Sequence, residues 1–144
     1  VTAFLLSVHV LAAIVFIGPV TVATSLFPRY AREGNVPVVD ALHRISRVHA
    51  VLGVSVPAFG LALASAMGVL GDAWLIVSIA LTAGAAALLA LVVLPGQARS
   101  VAALHAEGTA PASPRLAVAS GVFAQTWAVV VVLMIVRPGS TTGV

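Results

Sequence analysis

Residues 3–27 read AFLLSVHVLAAIVFIGPVTVATSLF, a run without a single Asp, Glu, Lys or Arg. A helix rises about 1.5 Å per residue, so roughly 20 apolar residues cross a ~30 Å hydrocarbon core, and this run is long enough to do so. Three further runs share its character, at 48–70, 74–94 and 116–136. The first has no basic flank before it and exceeds the apolar region of a secretion signal, so it is expected to be a retained span. The chain is predicted to be an all-α polytopic membrane protein: one four-span domain over residues 1–144, folded as an up-down four-helix transmembrane bundle.

Composition points the same way. Hydrophobic residues make up 61% of the 144 positions and charged residues 8%, far below the roughly 25% charged of a soluble domain. The sequence pI of 11.2 comes from seven arginines against four acids, with no lysine. A formal net charge of +3 spread along connections is not a phosphate-binding stripe, so no nucleic-acid partner is expected. The absence of cysteine excludes disulfides, thiolate metal sites and a catalytic thiol.

Arginine placement sets the expected orientation. Arg29, Arg32, Arg44 and Arg47 lie in the first connection and Arg99 and Arg115 in the third, whereas Arg137 stands alone after the last span. The positive-inside rule assigns the first and third connections to the cytoplasm, with both termini outside, in the inner (plasma) membrane of a bacterium. Within the first connection, Val38, Ala41, Leu42 and Ile45 recur at helical spacing, so residues 38–47 read as an amphipathic interfacial helix that continues into the second span. Arg44, Arg47 and His49 are then placed to meet lipid headgroups. The stretch from Pro95 to Arg115 reads as a loop holding a short helical segment that ends near Gly108.

Small residues recur every fourth position at Gly60, Ala64 and Gly68, and again at Ala117 and Gly121. In lipid such faces let helices approach closely, and they serve either packing within the bundle or docking of another subunit. Pro19 and Pro57 each remove an intrahelical hydrogen bond and should kink their spans. Trp74 and Tyr30 fall where interfacial aromatic anchors belong, and Gln125, at mid-span, is expected to face the bundle and pair with a carbonyl, Ser78 or Thr82.

Of the four histidines, His43 and His105 fall in polar connections and are expected to be solvated. His9 lies inside the first span, where a polar residue is a functional-site hypothesis by default. It stands roughly 27 Å from the inner end of its span and His49 only about 3 Å from the same level, so the two cannot share one haem iron within a bundle. Met67 and Met134 fall nearer the level of His9, which makes His9, Met67 and Met134 a candidate soft set for Cu(I), or a His/Met pair for haem iron. The alternative is a neutral His9 bonded to a neighbouring carbonyl or to Asp72.

The stretch HVLAAIVFIG, residues 9–18, resembles the opening helix of CopD-type copper-resistance membrane domains and, more loosely, of HemJ-type protoporphyrinogen oxidases. Together with HRISRVHAVLGVSVPAFGLALA, residues 43–64, and four spans, the whole chain is similar to a family of predicted integral membrane proteins common in actinobacteria. The resemblance implies one carried-over ligand, His9, for haem b or copper. Too few ionisable groups for chemistry, short loops and small-residue faces lead to a different expectation. The chain is read as a non-catalytic accessory subunit of a larger respiratory or lipid-transport assembly, in contact with membrane lipids and other membrane subunits.

Overall fold

The computed structural model describes residues 1–111 and 113–140, and among these the only regular structure is helical. Four long helices carry the chain: α1 over Thr2–Arg32, α2 over Val36–Met67, α3 over Ala73–Glu107 and α4 over Pro114–Val136. All four are long and apolar enough to cross a membrane. Segment 38–47 is indeed continuous with the second span, and α1 and α3 both run past the boundaries expected from hydropathy. The loop expected from Pro95 onward is mostly helix through Glu107, because an Ala-rich polar segment extends a helix as readily as an apolar one.

Two of the helix-interior prolines are preceded by the same device. A π-helical turn spans Ala13–Ile17 just before Pro19, and another spans Leu89–Val93 just before Pro95. Proline removes one N–H and crowds the preceding turn, and a locally widened turn lets a later N–H satisfy the carbonyl left over. In α2 the helix is interrupted instead at Val54, three residues before Pro57, with the Val54 N–H bonded to Val51 O at 3.2 Å. The long helices therefore continue through these prolines.

Each helix runs antiparallel to the next, and six of the seven arginines gather towards one end, here called the arginine end. There the four helices close a ring in which each packs on its sequence neighbours and α1 also meets α4. This half holds the main core, built on Val20, Phe27, Val39, Val93, Leu116 and Phe123. Towards the far end the ring opens into two pairs: residues 55–67 of α2 pack on the start of α1, and residues 73–88 of α3 pack on α4. The short link between α2 and α3 does not hold those helices together along their length. Smaller clusters bridge the pairs, with Trp127 against Ala12, Ile17 and Val56, and Met134 against Ala64, Trp74 and Leu75.

Gly68 closes α2 in a left-handed conformation, φ +72°, with the Val69 N–H reaching back to Ala64 O at 3.1 Å. A side chain there meets no neighbour but strains the backbone. Gly68→Ala is expected to lower stability by about 1 to 2 kcal/mol, the usual cost of a left-handed non-glycine residue, read as a reduced thermal midpoint in micelles.

Candidate functional site

His9 reaches across from α1 to α2, where Nδ1 donates to Val56 O at 2.9 Å. A carbonyl only accepts, so Nδ1 carries a proton, and the tautomer that makes this bond has its lone pair on Nε2. The ring lies over Gly60: a Cβ at that position would stand 2.9 Å from His9 Cε1 and 3.2 Å from Nδ1. Gly60 is thus the recess that admits the imidazole, and Pro57 lies in the same turn of α2. The ring is buried, and Nε2 makes no hydrogen bond to a described residue.

The methionines do not share this junction. Met134 packs at the far end on Ala64, Trp74 and Leu75, and Met67 lies seven residues past Gly60, about 10 Å further along α2. Asp72 serves Trp74, whose Nε1 donates to Asp72 Oδ2 at 3.0 Å. Trp74 is itself 7% exposed and carries the Arg137 guanidinium 5.6 Å from its ring centroid, so it is a packed residue rather than an interfacial anchor. Among the described residues no three His, Asp or Glu side chains come together to hold a metal ion.

A second polar constellation joins α2 to α3 at the arginine end. His43 Nδ1 donates to Gln97 Oε1 at 3.0 Å, Gln97 Nε2 donates to Ser46 Oγ at 3.3 Å, and Ser46 Oγ donates to Leu42 O at 2.9 Å. Gln97 and Ser46 are fully buried. Further towards the ends of α2 and α3, His105 Nε2 meets Asp40 at 2.9 and 3.0 Å in a half-exposed pair. His43 is therefore half-buried and hydrogen-bonded, not solvated. Sequence reasoning passed over Gln97 because Pro95 signalled a loop. The available signal was the helical spacing of Leu89, Val93, Gln97, Ser100 and Leu104, all of them buried.

The small-residue positions divide. Gly60 and Ala64 are used inside the chain, by His9 and by Trp74, and Gly68 is a helix terminator. Ala117 and Gly121 remain exposed on α4, and a Cβ at Gly121 would meet nothing within 4 Å. Gln125 lies one turn further along that helix, exposed and without a hydrogen bond to any described residue. The buried positions of α4 are Leu116, Ala119, Ser120, Phe123 and Val130, which turns Gln125 outward. The expected pairing with Ser78 does not form: Ser78 Oγ donates to Trp74 O at 2.8 Å, within its own helix. Arg44 and Arg47 are exposed on α2, whereas His49 is half-buried with Nδ1 donating to Ile45 O at 3.0 Å.

Two substitutions separate packing from polar pairing. Gly60→Ala drives a methyl into the His9 ring and is expected to cost about 1 to 3 kcal/mol, and the loss should be smaller in a His9→Ala background. Gln97→Leu leaves the His43 donor and the Ser46 acceptor without their partner and should cost about 1 to 3 kcal/mol. Unfolding in mixed micelles measures both.

Compared with protein-family models, curated proteins and solved structures, the chain matches none, so its function is argued from this geometry.

Proposed function

We propose that the chain is a non-catalytic accessory subunit of a larger bacterial inner-membrane assembly, seated in the bilayer with its arginine end in the cytoplasm and both termini outside. Gln125 carries this reading. It lies eleven residues from each end of α4, so about 17 Å of helix separates its amide from either boundary. An amide facing hydrocarbon at that depth is expensive, and a neighbouring helix that offers it a hydrogen bond removes the cost. Gly121, one turn away, lets that helix come close. Fully shielded side-chain nitrogens and oxygens among the described residues all have partners within the chain, whereas the Gln125 amide stands exposed at mid-span without one.

After gentle extraction the wild-type chain is expected to migrate with further subunits. Gln125→Leu should lower their recovery about fivefold, as loss of one interhelical hydrogen bond of roughly 1 kcal/mol implies. Gly121→Leu should do the same, and full recovery in both variants overturns the docking role of α4. For orientation, the native chain has no cysteine, so Glu33→Cys and Glu107→Cys report cleanly. An impermeant thiol reagent should label neither in intact cells and both after permeabilisation.

One observation favours a second reading, in which His9 ligates haem or copper. A ligating imidazole commonly donates its other nitrogen to a carbonyl, which fixes the tautomer and aims the lone pair, and His9 Nδ1 is held in that way by Val56 O. A Soret band or stoichiometric copper in the purified protein, lost in His9→Gln, establishes this reading; a colourless, copper-free protein whose His9→Gln variant keeps its partners supports the first.

A further inference from the structure

Near the start of α4 two cavities open on the seam with α1. The larger, about 320 Å³, has apolar walls from Pro28 and Ala31 on α1 and from Leu116, Ala117 and Val118 on α4. Pro111 and Pro114 close its end, and Arg32 borders it. The smaller, about 240 Å³, shares Pro28, Arg32 and Ala117 and adds Arg29 and Gly121. Through those shared residues the two form one groove. Three prolines in its wall have fixed φ, which removes one backbone freedom at each of those positions.

Two cations border this groove, and they differ. Arg29 is held by its own helix, with Nε 3.2 Å from Glu33 Oε1 and its guanidinium 5.7 Å from the Tyr30 ring centroid. Arg32 is exposed and makes no hydrogen bond or ion pair with a described residue. An apolar recess beside a free guanidinium is complementary to a ligand with an anionic head and an apolar body. Position narrows the class. Ala117 lies three residues, about 4.5 Å, from the start of a helix of about 34 Å that just exceeds a ~30 Å hydrocarbon core, so the groove falls where acyl chains give way to headgroups. Val118 and Val122, 64% and 48% exposed, offer an apolar strip over one turn of α4 between the groove and Gln125.

We infer that the α1–α4 groove at the arginine end binds an anionic phospholipid, with the phosphate facing Arg32, the glycerol end in the 320 Å³ cavity and the chains along α4. The inference rests on the chain spanning a membrane; because Gly121 borders the groove and also serves the docking reading, lipid binding is tested on the chain alone, so that its failure and the failure of docking are distinguishable. A zwitterionic lipid carries a cation beside its phosphate and meets Arg32 less favourably. Arg44, Arg47 and His49 border neither cavity, so the site is distinct from the headgroup contacts expected of α2.

The test is native mass spectrometry of the full chain in detergent with added phosphatidylglycerol, phosphatidylcholine of the same acyl chains, or inorganic phosphate. One phosphatidylglycerol should be retained per chain, about fivefold more than phosphatidylcholine, and Arg32→Gln should lower its retention about fivefold. Ala117→Phe fills the shared wall without changing charge and should lower retention as well. Arg99→Gln, an exposed charge at the same end but outside both cavities, should leave retention unchanged. Equal retention of the two lipids, an equal loss in Arg99→Gln, or full retention in Ala117→Phe overturns the proposal. Displacement of the lipid by inorganic phosphate overturns it in favour of a free-anion site. A chain that stays monodisperse when the detergent is removed undercuts the membrane reading itself, an outcome separate from lipid preference.

Discussion

A buried polar group in this chain has no water to turn to, and most of the architecture follows from where each such group finds its partner. Buried hydroxyls at Thr24, Ser46, Ser78 and Ser120 donate to carbonyls four residues earlier in their own helices. This costs the bundle no geometry. His9 and Gln97 cannot be satisfied so locally, because their side chains reach past their own helix, and each therefore dictates how two helices meet. His9 fixes α1 against α2 towards the far end, and Gln97 fixes α2 against α3 at the arginine end.

Those two contacts also explain why the bundle is closed at one end and paired at the other. At the arginine end, large side chains such as Phe27, Phe123 and Leu116 fill one shared core around the Gln97 contact. Towards the far end α1 and α2 are drawn close by the His9 ring in the Gly60 recess, and α3 and α4 form their own pair. Dispersion contacts are gained only where surfaces fit closely, and the Gly60 recess gives the His9 ring such a fit. The π turns before Pro19 and Pro95 belong to the same logic, since they keep backbone groups paired where proline withholds a donor.

The open features of the molecule concentrate on α4. Its mid-span amide, its exposed glycine and the groove it shares with α1 all lie on the side that the bundle does not use. A helix partner at Gln125 and a phospholipid beside Arg32 would be neighbours on that side. The polar contacts between α2 and α3 are by contrast made between residues of the chain itself and are read as structural.

Hydropathy and charge alone determined that four apolar helices exist, where their middles lie and which end carries the arginines. Those properties depend on runs of residues whose burial preference is averaged over twenty positions. The neutral His9 with a carbonyl partner was among the alternatives readable from one residue in an apolar run, but which carbonyl it meets depends on how α1 and α2 are rotated against one another. Tertiary structure alone decided the rest. Gln97 entered the core because a π turn let α3 continue through Pro95, and Gln125 left it because the buried stripe of α4 runs through Phe123 and Val130 instead. Gly60, Gly68 and Gly121 look alike in sequence spacing, yet one receives a ring, one ends a helix and one stays open, because a glycine's use is set by what the fold brings to it.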